Sequence, residues 1–308
     1  MELPWRLPLV QAPVGPAATP ELVAAVSSTG ALGTLAASWT PVALLREQVR
    51  ELRAASDAPF CVNLVLAFEQ RQRLQVALEE GAPVVSLSWG VDRELIRLAR
   101  EAGAFVLAQV GETDAAADAV RAGADALIVQ GVEAGGHVQG TRLLAELVRD
   151  IVPAVGVPVV AAGGIADAKG VEAALEAGAA AAACGTAFLA AEEADVHPLY
   201  LERLLAADAT DTALTTLFDG GWPDAPHRVL RNDTVAAWEK AGRPAPGQRP
   251  GEGEAVGSRR GRPLLRYADA QPTRDTVGEV ALMALYAGTS VRAVARRRPA
   301  TAIVEHLL

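Results

Sequence analysis

Short apolar runs, each introduced by a Gly-Ala step, punctuate the first two thirds of the chain at near-regular intervals. Gly81-Ala82 precedes Val84-Val85-Ser86-Leu87, and Gly103-Ala104 precedes Phe105-Val106-Leu107-Ala108. Gly123-Ala124 precedes Ala126-Leu127-Ile128-Val129, and Gly178-Ala179 precedes Ala180 to Cys184. A helix-like segment leads up to each step. Glycine just past a helix supplies the left-handed residue that closes it, and an apolar run bounded by glycine reads as a buried strand. The first three intervals, about 20 residues each, fit one strand, one helix and two short turns.

Extending the pattern predicts eight strands, near residues 8–12, 32–36, 60–65, 84–88, 105–110, 126–130, 158–162 and 180–184. Helix starts agree with it: Thr19 can cap with Pro20 at the first helical position, and Thr113 or Asp114 can cap the helix ending at Gly123. Eight alternating units closing on themselves give an α/β fold, a (β/α)8 TIM barrel. A doubly wound open sheet is the weaker alternative, because no strand-linked GxGxxG fingerprint is present. The barrel is expected over residues 1–190. Residues 191–308 are expected to form a helical addition over the barrel mouth, with helices around 198–206, 233–241 and 275–308. An exposed Gly-, Pro- and Arg-rich arm is expected at 242–263.

Composition narrows the picture. Of 308 residues 51% are hydrophobic and 21% charged, which excludes a disordered chain. Aromatics are only 4%, so Ala, Val and Leu must build the core. A net charge of −9 argues against nucleic acid or an anionic membrane as partner. The most apolar window, Val171 to Ala191, is Ala-rich and carries Glu172 and Glu176, so a membrane span is not expected. Leu7-Pro8-Leu9-Val10 is too short and too broken by proline for a signal peptide. Two cysteines, Cys61 and Cys184, without a CxxC, fit a reducing compartment. A cytoplasmic protein is expected.

In a barrel the chemistry sits at the C-terminal ends of the strands, and the informative residues fall there repeatedly. Gln11-Ala12-Pro13 ends the first strand, Asn63 lies in the third, and Gln130 to His137 follow the sixth. Gly163-Gly164 ends the seventh and Gly185-Thr186 the eighth, where backbone amides commonly bind phosphate. His137 on its Gly135-Gly136 loop is the candidate base. Asn63 and Gln130 either contact the edge of a polar heterocycle or merely satisfy nearby backbone. His197, His227 and His306 lack such a context; His197 follows Glu192, Glu193 and Asp195, but no second histidine stands at ligand spacing and no metal is expected. Cys184 reads as a small core residue. Trp39, Trp89, Trp222 and Tyr286 either line the pocket or fill core gaps, and the sequence ranks neither reading first.

Taken in order, Gln11-Ala12-Pro13, Val62-Asn63-Leu64, Gln130 to His137, Gly163-Gly164-Ile165-Ala166 and Gly185-Thr186-Ala187-Phe188 resemble the motifs of the nitronate monooxygenases. The resemblance runs from about residue 8 through Leu230-Arg231-Asn232 and resumes at Ala287-Gly288-Thr289-Ser290-Val291. It implies an FMN-binding barrel that oxidises alkyl nitronates with oxygen to a carbonyl compound and nitrite. FMN-dependent enoyl-thioester and quinone reductases using NAD(P)H share much of the pattern and are the alternative. By matched position Asn63, Gln109, Gln130, Gly135, Gly136, Gly163, Gly164 and the run Ala183-Cys184-Gly185-Thr186 would hold FMN, with the Gly-Thr end on the phosphate. Ala12, Pro13 and Val14 would back the flavin ring, and His137 would face the substrate. Val14 stands where relatives often carry Met. Gln109 stands where they often carry Lys, a change expected to alter the flavin's reduction potential.

Overall fold

The computed structural model describes residues 2–308. Eight parallel strands form its centre: β1 (Leu9–Gln11), β2 (Gly33–Ala36), β3 (Phe60–Val65), β4 (Val84–Ser88), β5 (Phe105–Val110), β6 (Ala126–Gln130), β8 (Val159–Ala162) and β9 (Ala181–Cys184). A two-residue β7 (Gly136–His137) lies between β6 and β8 in the chain and outside this sheet. The order around the sheet is β1-β9-β8-β6-β5-β4-β3-β2, and a bridge between Val10 and Leu32 closes it. The expected TIM barrel is therefore present, with every strand within a residue of its expected span at each end.

The local signals do what their chemistry dictates. Gly81, Gly103, Gly123 and Gly178 all take positive φ, between 80° and 100°, ending the helices before their strands. The Thr19 hydroxyl accepts a hydrogen bond from Leu22 N at 3.1 Å to start α1 (Pro20–Ser28). One cap differs: α5 (Thr113–Ala122) begins on extended Glu112, and neither Thr113 nor Asp114 caps it.

Side-chain parity then sorts the strands. Cys61, Val84, Leu107, Ala126, Ile128, Val160, Ala162, Ala181 and Ala183 pack together with Trp5 and Val10 inside the barrel. Asn63, Ser86, Ser88, Gln109 and Gln130 share that parity near the C-terminal ends, so the interior changes from apolar to polar toward the mouth. Cys184 has the opposite parity and is buried outside the sheet, among Ala182, Phe188 and Tyr200.

Helices α2 (Val42–Ala55), α3 (Arg71–Glu79), α4 (Arg93–Glu101), α6 (Leu144–Ile151) and α7 (Ala168–Glu176) join α1 and α5 in the outer ring. Only a short 3-10 turn, Thr186–Ala190, follows β9. The eighth place is filled by the last element, α10 (Ala300–Leu307), which packs against α1 and α7. Its first amide, Ala300 N, donates to the Glu193 carboxylate at 2.9 and 3.2 Å.

The expectation for residues 191–308 needs correction. Helices α8 (Pro198–Ala206) and α9 (Asp233–Lys240) stand as expected, but five strands accompany them. β10 (Thr212–Thr215) pairs with β11 (His227–Leu230), which pairs with β7 at the mouth. β12 (Ala255–Arg259) pairs with β13 (Arg262–Leu265) and β14 (Thr276–Gly278). Residues 275–308 hold one strand, two 3-10 turns and α10 rather than one helical region, and α10 lies in the barrel wall rather than over the mouth. Three- to five-residue strands are too short to show a period that outweighs their glycines and prolines. Half of the arm at 242–263 is accordingly a hairpin, and its other half is pinned by the buried Arg249 guanidinium. That group donates to Asp219 at 2.8 Å and Leu217 O at 3.0 Å and lies 4.3 Å from the Tyr267 ring centre.

Ile303 is 5% exposed in the contact between α10 and the ring. Ile303→Ala is expected to lower unfolding free energy by about 2–5 kcal/mol in urea titration, as a true wall helix requires; a loss under about 0.5 kcal/mol, the level of a surface change, would contradict that placement.

Candidate active site

The site is assembled from the C-terminal ends of the barrel strands and the loops beyond them. At its floor, Asn63 Nδ2 donates to Ser86 Oγ at 3.3 Å and to Ser86 O at 3.4 Å. Gln130 Oε1 accepts from Gln139 N at 2.7 Å, and Gln139 Oε1 receives Trp89 N at 3.2 Å and Gln109 Nε2 at 3.4 Å. Gln139, which the sequence did not single out, thus ties the ends of β5 and β6 to the loop after β4.

On one side glycines from separate loops converge. Gly163 and Gly164 take φ of 115° and 71°. A Cβ on Gly164 would lie 2.9 Å from Glu133 Cβ and 3.4 Å from Thr289 Oγ1. One on Gly185 would lie 3.6 Å from both Ala12 and Val14 side chains. Gly288 N donates to Thr186 Oγ1 at 3.0 Å, and the backbone of Gly135 lies directly against Gly288. Gly163, Gly164, Gly185, Thr186, Ala12, Val14 and Gly135 are therefore brought together. The Ala287-Gly288-Thr289 segment, which the sequence marks as a motif and not as a site, joins them. Glu133, the acid of this loop, turns its carboxylate to Leu144 N at the start of α6, at 3.0 and 3.1 Å. The cradle so formed offers amides and hydroxyls, the donor set an anion requires. Cys184 contributes only backbone here, since its side chain faces away.

His137 stands beside the cradle. Its strand β7 runs antiparallel to β11 with His137 opposite His227, and the two ring centres are 5.3 Å apart. Phe218 N donates to His227 Nε2 at 3.2 Å, so the His227 Nδ1–H donates to Ala225 O at 2.9 Å. Both nitrogens of that buried ring are satisfied, and it is neutral. His137 differs: its Nε2 is buried and has no hydrogen-bond partner among the described residues. Trp222 stacks on it at 4.3 Å and 24°, and Trp89 and Tyr286 flank it at 6.4 and 5.6 Å. Burial, and secondarily the neighbouring His227, push the His137 pKa down to about 3. Arg228, next along β11, donates to Val132 O at 2.8 Å and holds a buried, unpartnered Nε. His227 and Arg228 carried no functional signal in the sequence, which left Trp222 between pocket lining and core filling; the pairing of β11 with β7 and the loop between β10 and β11 bring all three to the mouth.

The other histidines are structural or exposed. His197 Nδ1 accepts Leu199 N at 3.1 Å and caps α8, while His306 is exposed. Asp195 accepts Arg274 N at 2.9 Å. No group of three or more His, Cys, Asp or Glu among the described residues is placed to hold a metal ion, and no helix is long and apolar enough to cross a membrane.

A parallel barrel with a glycine-lined cradle and a shielded imidazole at its C-terminal face is the frame of a small-molecule enzyme. The chain belongs to the nitronate monooxygenase family, whose model matches residues 3–71 and 66–308. It is 34% identical over 261 residues to the nitronate monooxygenase of Pseudomonas aeruginosa, covering 69% of this chain and 74% of that one. It is 38% identical over 239 residues to a Mycobacterium tuberculosis (3aS,4S,5R,7aS)-5-hydroxy-7a-methyl-1-oxo-octahydro-1H-indene-4-carboxyl-CoA dehydrogenase, covering 77% of this chain and 66% of that longer protein. A nitroalkane oxidase from Streptomyces ansochromogenes superposes with a TM-score of 0.78 at 32% identity, over 98% of this chain and 95% of that one. All three relatives are oxidoreductases.

The low His137 pKa carries a stability consequence. The unfolded imidazole binds a proton near pH 6.5 and the folded one only near 3. The contribution is therefore complete above about pH 6.5 and is lost as pH falls toward 3, by up to about 1.4 kcal/mol per pH unit. Urea titrations at pH 7, 6, 5 and 4 should show a shallower decline for His137→Gln than for the parent; parallel declines would contradict the assigned burial.

Proposed function

We propose that the protein is an FMN-dependent monooxygenase that converts alkyl nitronates and oxygen to a carbonyl compound and nitrite. The observation that carries this reading is the buried, unpartnered His137 Nε2 beside a glycine- and hydroxyl-lined cradle at the mouth of the barrel. An imidazole nitrogen withdrawn from water and left without a protein partner is costly, and a ligand atom would repay that cost.

The cradle fits the FMN phosphate. Gly163, Gly164, Gly185 and Thr186 would hold it through amides and the Thr186 hydroxyl, which the Gly288 amide orients by donating to its oxygen. Gly135, Gly136 and the backbone of Ala183-Cys184 would lie along the cofactor. Asn63, Gln109 and Gln130 would meet the polar ring edge, and Ala12, Pro13 and Val14 its apolar side. Bound FMN would supply the electron transfer between nitronate and oxygen. A base with a pKa near 3 is poorly matched to abstracting a carbon-bound proton at neutral pH, so the preformed nitronate anion is the better substrate. Neutral His137 would donate an Nε2–H hydrogen bond to a nitronate oxygen. Trp222, stacked on the ring, would keep water from competing.

The second reading is an NAD(P)H-dependent flavin reductase acting on a quinone or an enoyl thioester; the 38% identity to a protein named as a CoA-thioester dehydrogenase favours it. Oxygen uptake by the FMN-loaded protein with propyl-1-nitronate, catalase and superoxide dismutase separates the two. Uptake with stoichiometric nitrite supports the first. Flavin bleaching by NADH under nitrogen, without nitronate turnover, supports the second.

His137→Ala should lower kcat/KM for the nitronate about 10- to 100-fold, the worth of one hydrogen bond to a charged group, with FMN still bound. Gly164→Ala, which forces a Cβ against Glu133, should weaken FMN binding at least about tenfold by flavin-fluorescence titration. Unchanged FMN affinity would remove Gly164 from the cofactor site.

A further inference from the structure

Across the mouth from the glycine cradle stands a wall of aromatic rings. Trp39 follows β2, Phe68 follows β3, Trp89 follows β4, and Trp222 comes over from the loop between β10 and β11. Trp222 is the hub: its ring centre lies 4.6 Å from Trp89, 5.2 Å from Phe68 and 6.1 Å from Trp39, while Trp39 and Phe68 are 5.5 Å apart. The same Trp222 ring stacks on His137. The wall therefore runs without a break from the imidazole to solvent, where Trp39 is 53% exposed.

Two features separate this wall from ordinary core. The chain builds its interior from Ala, Val and Leu, yet three of its five tryptophans gather here. Trp89 also holds a φ of 62°, a left-handed conformation that a bulky side chain adopts only under strain. Strain of this kind collects where a side chain must be held in place for a ligand. Phe68 and Trp89 are only half-buried beside the exposed Trp39, so the wall keeps contiguous apolar surface open to a ligand.

We propose that Trp39, Phe68, Trp89 and Trp222 form the specificity pocket, selecting a substrate whose reacting carbon is attached to an apolar ring system rather than to a short alkyl chain. The assignment rests on the reaction proposed above, which sets His137 at the reacting end. A ring placed on the exposed Trp39, beside the half-buried Phe68 and Trp89 that Trp222 holds in position, would meet the edge and offset contacts that aromatic faces favour at 4.5–7 Å. A three-carbon chain anchored at His137 would end before reaching Trp39.

The test measures binding apart from turnover. Phenylacetate and propionate share the planar anionic head of a nitronate and do not react. Their dissociation constants are read from tryptophan fluorescence of the FMN-saturated protein. The parent should bind phenylacetate at least about tenfold more tightly, and Trp39→Ala should cut that preference about three- to tenfold. Trp39 is exposed, so its removal leaves folding intact; Trp222→Leu should abolish most of the preference. Equal binding of the two acids, or a preference that neither variant moves, overturns the proposal. Ring preference without nitronate oxidation keeps the pocket and removes the proposed reaction. Nitronate oxidation without ring preference does the reverse.

Discussion

Closure of the barrel between its first and second strands is the constraint on which the site depends. The seam is thin: Leu32 exchanges backbone hydrogen bonds with Leu9 and Gln11 at 3.0 and 2.8 Å. Beyond that point the buried Gln11 carboxamide takes over, accepting Thr34 N at 2.9 Å. Pairing of β1 with β9 sets the Gly185 loop beside Ala12 and Val14, and closure then brings the loops of β2, β3 and β4 to the facing side of the same mouth. An open sheet of the same strands would put the cradle and the aromatic wall at separate edges. Gln11 is thus a structural residue within a motif otherwise made of loop.

The C-terminal third completes the barrel twice. At the mouth, the pairing of β11 with β7 fixes His137 between His227 and Trp222, which makes its ring neutral and dry. In the wall, α10 takes the helix position that the chain leaves vacant after β9. The acids that resemble metal ligands in sequence serve this second task, with Glu193 capping α10 and Asp195 holding Arg274. Removing water from His137 and finishing the ring are therefore linked through one segment. Residues 191–308 also keep a small core of their own, around Phe218, Val229, Val235 and Tyr267.

Much of the site could be read without coordinates because its parts are backbone. Gly163, Gly164, Gly185 and Thr186 are chosen by φ and by close approach, and such requirements restrict residue type where they act. Side-chain partners are not restricted that way. Gln139 and Arg228 resemble any polar residues of a loop or short strand until the fold brings an amide or a carbonyl opposite them.

The sequence by itself determined the eight strands, the glycines that end the helices before them, and the polar ends of β3, β5 and β6. Each follows from a local rule of period, handedness or burial that acts over a few residues. Tertiary structure decided that the last helix enters the wall, that two- to five-residue strands form in place of helices, and that His137 is stacked and unpartnered. These outcomes depend on contacts between residues 85 to 280 positions apart, such as His137 with Trp222 and α1 with α10. At such separations no local preference distinguishes a core tryptophan from one that walls a pocket.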